Sequence, residues 1–281
     1  MNQPEAGTPP PVPETEYDIY RVKPGSTVDL TKWQTSEKGG FEKDEAKQLQ
    51  KDVRDELAEL QRKLYAEGQQ SLLVVLQATD TGGKDGTIRN VFGGVNPQGV
   101  RVASFKQPTD EELAHDFLWR IHQETPARGM IRVFNRSHYE DVLIVRVKEI
   151  VPESVWRPRY HTINEFERGL ALAGTRIVKI FLHISKDEQK ARLQARLDDP
   201  NKHWKFSLGD LKEREYWEDY QQAFADMLTH CSTDYAPWYV IPADRKWYRN
   251  LVITRILVDV LKGMDPHYPQ NEDDLSNVVI E

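Results

Sequence analysis

Residues 72–76, Leu-Leu-Val-Val-Leu, form a run without a polar side chain, and the chain then continues Gln-Ala-Thr-Asp-Thr-Gly-Gly-Lys-Asp-Gly-Thr to residue 87. So short an apolar run, closed by a glycine-rich turn, reads as a strand covered on both faces, the condition of strands in parallel sheets. Parallel strands need long crossovers, and the sequence supplies them as helical segments. Residues 100–105, 130–134, 176–184 and 238–241 are the other strand candidates, so a five-stranded parallel sheet is expected. Ahead of the first strand, Ala46, Leu49, Val53, Leu57, Leu60 and Leu64 recur every three or four residues, which predicts a long helix ending near Gly68. Thr109 with Glu112 and Ser185 with Glu188 have capping-box spacing, and 244–261 is amphipathic. The expected architecture is an α/β three-layer sandwich. In such a sheet ligands bind beyond the carboxyl ends of the strands, which directs attention to the residues after Leu76, Phe105 and Phe134.

After Leu76, Gly82 and Gly83 let the backbone approach a phosphate, the following helix offers unbonded N–H groups, and Lys84 adds a cation. The match to a P-loop is irregular: Ala78 stands where the first glycine should be, and Asp85 where a hydroxyl residue follows the lysine. An ordinary glycine-rich turn is the competing interpretation. After Phe134 the chain reads Asn-Arg-Ser-His-Tyr-Glu-Asp, 135–141. A polar residue there can reach a metal and an arginine can neutralise a transferring phosphoryl group, while Asn135 or Ser137 can equally be a helix cap. Past Phe105 lie Lys106 and Pro108, then Trp119, Arg120 and His122, which taken singly read as solvated charges and an ordinary histidine. Arg192, Arg196, Lys202, Lys205, Lys212 and Arg214, with Trp204 and Phe206 among them, fit a cationic lid over a phosphoryl group. The i, i+4 spacing of Arg192 and Arg196, with Asp198, Asp199 and Asp210 nearby, also fits a solvated helical face.

At 281 residues and 38% hydrophobic, the chain has length for one α/β domain with a lid. Its net charge of -7 argues against a nucleic-acid-coating surface. The single Cys231 can form no internal disulfide, and the scattered histidines give no zinc spacing. No apolar run reaches membrane-spanning length and residues 1–16 lack the features of a secretory signal, so a cytoplasmic protein without membrane contact is expected. Residues 1–16, rich in proline, read as a disordered tail, and 265–281 as an acidic one. The folded unit is placed at 17–264, with the lid at about 192–216.

Six segments together, ATDTGGKDGT (78–87), SFKQPT (104–109), AHDFLWR (114–120), FNRSHYEDV (134–142), KHWKF (202–206) and APW (236–238), resemble the second family of polyphosphate kinases. Those are P-loop kinases related in fold to thymidylate kinase. The resemblance implies magnesium-dependent phosphoryl transfer, with manganese as a substitute, between inorganic polyphosphate and the nucleotides AMP, ADP and ATP. It also implies a homo-oligomer, dimer or tetramer. Carried over by position, Asp80, Lys84, Arg136 and Arg196 are the catalytic candidates. Thr81, Gly82, Gly83, Asp85, Gly86, Thr87, Asn135 and Glu140 are then expected at the nucleotide and its phosphates. Arg89, Lys106, Arg120, His122, Lys202 and Lys205 are expected along polyphosphate, and Asp80, Asn135, Glu140 and Asp141 at the metal. Many relatives carry Asp where this chain has Asn135, and the Asn-Arg-Ser-His-Tyr-Glu-Asp form resembles the subgroup that phosphorylates both nucleoside monophosphates and diphosphates. Two readings compete: an ATP-dependent nucleoside or nucleotide kinase of the same fold, and a non-catalytic regulator that binds nucleotide or polyphosphate.

Overall fold

In a computed structural model describing residues 7–271, strands β1 (Ser71–Ala78), β2 (Val100–Ser104), β3 (Ile131–Asn135), β4 (Thr175–His183) and β5 (Trp238–Pro242) form one sheet. Their order is β2-β3-β1-β4-β5, and every pairing is parallel. All eight residues of β1 are buried, as its apolar run requires of a central strand.

The alternation of side chains along the strands divides the core in two. Leu72, Val74 and Leu76 of β1 join Val178, Ile180 and Leu182 of β4 on one face, and Leu73, Val75, Ile177 and Phe181 lie on the other. The first face is covered by α1 (Lys43–Glu67), α2 (Lys84–Val91) and α6 (Lys246–Met264). The second is covered by α3 (Arg159–Leu172) and α5 (Trp217–Cys231), while α4 (Lys186–Leu197) follows β4. The α1 stripe behaves as its spacing predicts, with Ala46, Leu57 and Leu64 fully buried and the helix closing at a left-handed Gly68. Helix α6 departs from an amphipathic pattern, because residues on nearly all its sides are buried from Tyr248 to Met264. It lies between the sheet and α1, so it has no broad solvent face.

The proline-rich segment expected as a tail is a correction over its described part. Val12 is buried and donates its N–H to Asp234 O at 2.8 Å, and Arg176 donates to the carbonyls of Pro10 and Pro11 at 3.1 and 2.6 Å. Proline has little backbone freedom to lose, and the segment docks through the Pro10 and Pro11 carbonyls and the Val12 side chain rather than by forming a ladder. The chain then bridges to β5 through Val22, whose N–H donates to Trp238 O at 2.8 Å, and through an antiparallel Arg21–Tyr239 bridge. Residues 272–281, most of the expected acidic tail, lie outside the described residues.

No helix among the described residues is long and apolar enough to cross a membrane.

Candidate active site

Three chain segments leave the carboxyl ends of β1, β2 and β3 and meet above the point where β1 lies between β3 and β4, the switch point of the sheet. After β1 the chain turns sharply through Thr81 at φ +62° and Gly83 at φ +102°. A Cβ at Gly82 would collide with that of Ala78, so alanine in the place of the usual first glycine is tolerated because residue 82 has no side chain. Helix α2 begins at Lys84, which leaves the N–H groups of residues 84–86 without helical partners and facing the cleft. Thr87 is buried and donates its hydroxyl to Gly83 O at 3.1 Å, so it braces the loop and does not face the cleft. The Lys84 ammonium donates to Ala78 O at 3.1 Å, and enclosure followed by repulsion from Arg136 holds its pKa below the ordinary lysine value.

Arg192 of α4 holds the loop from behind. Its guanidinium donates to Thr81 O at 3.1 Å, Gly82 O at 2.9 Å and Ala243 O at 2.6 Å, while Nε meets Glu188 Oε1 at 2.7 Å. Nearly buried, it is a loop brace more than a lid cation.

Two of the three departures from the common motifs meet. Asn135 at the end of β3 donates Nδ2 to Asp85 Oδ1 at 2.8 Å, so the amide accepts company that a second carboxylate would refuse. Next to it Arg136 adopts φ +64°, a left-handed conformation that costs a residue with a Cβ on the order of 1 kcal/mol or more. That turn aims Nη2 at Asp80 Oδ1, 2.9 Å away, with Glu140 Oε2 at 3.9 Å from Nη1. Burial lowers the Arg136 pKa, but Glu140 and Asp80 outweigh it and the guanidinium is held above its usual value.

Beneath this turn sits a fully buried network. Lys179 Nζ donates to Glu167 Oε2 at 2.5 Å, Tyr139 OH at 2.8 Å and Cys231 O at 2.6 Å. Glu167 Oε1 accepts from Tyr139 OH at 2.8 Å and lies 3.1 Å from His138 Nε2. Burial alone would raise the Glu167 pKa; Lys179 reverses this, and the carboxyl stays below its ordinary value. The His138 and Tyr139 side chains therefore point into the core, anchoring the segment whose neighbours Arg136 and Glu140 face outward.

Two cavities share Asp80 and Arg136 as a common wall. The larger, about 1010 Å³, is lined by Asp80, Thr81, Gly82, Gly83, Lys84, Asp85, Gly86, Asn135 and Arg136, and by the cations Arg89, Lys106, Arg196, Lys202 and Lys205. The smaller, about 220 Å³, adds Glu140, Gln189, Trp217, Tyr220 and Phe224, a mixed aromatic and polar lining. The expected lid segment forms the end of α4, then the turns Pro200–Lys205 and Arg214–Tyr216 with helix Leu208–Glu213 between them. Arg196 there lies 3.4 Å from Asp210 Oδ2 and 3.3 Å from Lys205 O.

Besides Thr87, three expected residues lie elsewhere. Arg120 is 7% exposed, donates to Lys106 O at 2.9 Å and packs over the Phe105 ring, so it supports Lys106 from below and lines neither cavity. His122 is exposed beside Phe166, outside both cavities. Asp141 is tied to Arg159 at 3.2 Å, and burial, only partly offset by Arg159 and Arg120, pushes its pKa up to about 6. It turns away from Asp80, so the four expected metal ligands do not converge. Among the described residues no three His, Cys, Asp or Glu side chains gather at metal-binding spacing. The donor set still fits a hard cation held mainly by substrate phosphates and water, which needs only one or two protein carboxylates; Asp80, with Asp85 across the loop, offers them at the cleft.

Sequence reasoning missed Lys246 and Arg249 of α6, which also line the larger cavity. A signal existed: Arg245, Lys246 and Arg249 open a helix just past the end of β5, and only the ends of the first three strands had drawn attention.

Against known families, residues 40–269 match the model of Polyphosphate kinase 2 (PPK2). The chain is 55% identical over 264 residues to the AMP/ADP-polyphosphate phosphotransferase of Meiothermus ruber, covering 93% of this chain and 99% of that one. It is 45% identical to the ADP-polyphosphate phosphotransferase of Rhodopseudomonas palustris, covering 89% and 91%. In structure it is similar to Polyphosphate Kinase 2 from Arthrobacter aurescens TC1, with a TM-score of 0.89 and 47% identity over 93% and 94% of the two chains.

Proposed function

The chain belongs to the polyphosphate kinase 2 family, and on that premise we propose that it transfers phosphoryl groups from inorganic polyphosphate to AMP and ADP, giving ADP and ATP. The observation that carries the reading is the pair of cavities meeting at Asp80 and Arg136. The larger is a cationic trough with a phosphate cradle at its end, suited to a polyanion, and the smaller has aromatic walls suited to a nucleoside. A phosphoryl group passing between them crosses at Lys84 and Arg136.

In this reading an acceptor phosphate oxygen, already ionised at neutral pH, attacks the terminal phosphorus of polyphosphate in line. The P–O bond to the rest of the chain breaks and the shortened polyphosphate leaves with the electron pair. Lys84, Arg136 and Arg196 spread the charge on the moving group, and no covalent enzyme intermediate is needed. A divalent ion, magnesium with manganese as its substitute, would be held by Asp80 and substrate phosphates and would supply further charge neutralisation. Arg89, Lys106, Lys202 and Lys205, which line the larger cavity, would bind the polymer along it. A cytoplasmic homo-oligomer belongs to the same proposal.

The test is nucleotide formation from AMP and, separately, ADP with long-chain polyphosphate and Mg²⁺, for wild type and Lys84→Ala. ADP and ATP from the wild type, with loss on the order of 2–4 kcal/mol of transition-state stabilisation in the variant, are expected. Inert polyphosphate with turnover from ATP would replace the reading with an ATP-dependent nucleotide kinase, and binding without turnover would leave a regulator. The names of the relatives favour neither alternative.

A further inference from the structure

Behind the phosphate cradle stand two arginines in contrasting states. Arg192 spends its guanidinium on the carbonyls of Thr81, Gly82 and Ala243 and on the Glu188 carboxylate. Arg249 of α6, 2% exposed, makes no ion pair with a carboxylate among the described residues. Its Nε and Nη2 both donate to Asn250 Oδ1, at 3.1 and 2.8 Å, and Nη1 has no hydrogen-bond partner. A cation enclosed without a counter-charge is costly to the fold, and a guanidinium N–H left without an acceptor adds to that cost. Burial, then repulsion from Arg192, pushes the pKa of Arg249 down to about 9.

The direction of the unpartnered group is fixed by the loop. A Cβ at residue 83 would collide with Arg249 Nη1, so the guanidinium reaches the back of the cradle only because Gly83 has no side chain. Both residues line the larger cavity, beside Gly86 and Lys246. Arg249 thus borders the cavity that holds Lys84 and the free N–H groups at the start of α2, with Nη1 itself covered by the loop at Gly83, and it is no part of the lining of the smaller aromatic cavity.

We infer that the Arg249 guanidinium is a substrate-binding donor, which gives an N–H to a phosphoryl oxygen of the polyphosphate bound in the larger cavity and receives from it the counter-charge that the surrounding residues withhold. The inference rests on the reading of that cavity as the polyphosphate site. A bound polyanion would supply the guanidinium with an acceptor and relieve the enclosed charge together. Gly83 is then required twice, for its left-handed backbone and for this contact across it.

The test compares wild type, Arg249→Gln and Arg249→Lys in three measurements: KM for polyphosphate, KM for ADP, and the thermal midpoint with and without inorganic tripolyphosphate. The expected result for Arg249→Gln is a ligand-free midpoint equal to or above wild type, loss of most of the tripolyphosphate-induced rise, and a KM for polyphosphate about tenfold or more higher, with the KM for ADP within about twofold. Arg249→Lys, which keeps the charge but not the fork, should fall between the two and covers the case in which Arg249→Gln does not fold. A lowered ligand-free midpoint with both KM values unchanged would make Arg249 a structural residue and overturn the inference. So would a rise confined to the KM for ADP, which would place the contact on the nucleotide. If wild type ignores polyphosphate in turnover, the functional reading fails. The tripolyphosphate-induced rise still decides Arg249: its loss in the variant upholds the donor role, and its retention overturns it.

Discussion

Arg136 Nη2 lies 2.9 Å from Asp80 Oδ1, and the two side chains close the wall common to both cavities. Each is set by an unusual backbone: Arg136 is itself left-handed, and Asp80 precedes the left-handed Thr81. The fold itself holds this cation and carboxylate in place, so on the proposed function little reorganisation would accompany transfer.

Arg136→Lys keeps the charge and loses the second N–H toward Glu140. We expect kcat/KM for phosphoryl transfer to fall by about a hundredfold or more, the scale of losing one preorganised donor, with the thermal midpoint little changed. Steady-state kinetics and a melting curve check both halves.

Asn135 and Asp85 should behave as one unit. Asn135→Asp would set two carboxylates where the amide now donates at 2.8 Å, and one of the two must rise in pKa. Turnover is expected to drop more at pH 8, where both carboxylates are ionised and repel, than at pH 6, where a shared proton can stand in for the amide N–H, and adding Asp85→Asn should recover much of the loss. A double-mutant cycle with an interaction energy near zero would break the link, since contacting pairs usually couple by about 0.5–3 kcal/mol.

Asp141 gives a stability signature. Its folded pKa, raised to about 6 by burial, means that between the unfolded value and 6 the folded state binds the extra proton. The stabilisation is fully present below the unfolded pKa and is lost as pH rises through about 6. Asp141→Asn removes this titration, so the difference in unfolding free energy between pH 4 and pH 7.5 should shrink, as urea denaturation at the two pH values would show.

The Lys179–Glu167 pair is buried on both sides. Lys179→Met alone leaves an uncompensated carboxylate beneath the Arg136 turn and should cost about 3–5 kcal/mol of stability. Lys179→Met with Glu167→Leu should recover much of it, because two neutral side chains leave no stranded charge. Denaturant midpoints for the single and double variants decide the matter.

The parallel sheet, its five strands and the long first helix were legible because each is written in local apolar spacing, and the strand limits differ from the expected ones by only one or two residues. The tight turn between β1 and α2 was legible for the same reason, its glycines lying next to the strand that presents them. Arg192, Arg120 and Asp141 were harder, because a charged residue that braces a carbonyl or an ion pair has the same letter as one that faces solvent or ligand. What separates them is the partner supplied by a distant part of the chain: Thr81 and Ala243 for Arg192, Lys106 for Arg120, Arg159 for Asp141. Arg249 was hidden by its helix, whose apolar neighbours on nearly every side mask one cation placed at the end of the sheet.

The stretch that follows the proline-rich segment, Arg21 and Val22, also bears on which border of the sheet is open. With Val22 bonded to Trp238 and Arg21 bridged to Tyr239, the outer backbone of β5 is already taken within the chain. β2, at the opposite border, carries exposed residues, Val102 among them at 46%. An unpaired strand border is a template on which a second copy can add and propagate as an aggregate. Residues 21 and 22 therefore occupy part of one border of the sheet and leave the other, at β2, as the border on which a second copy could add.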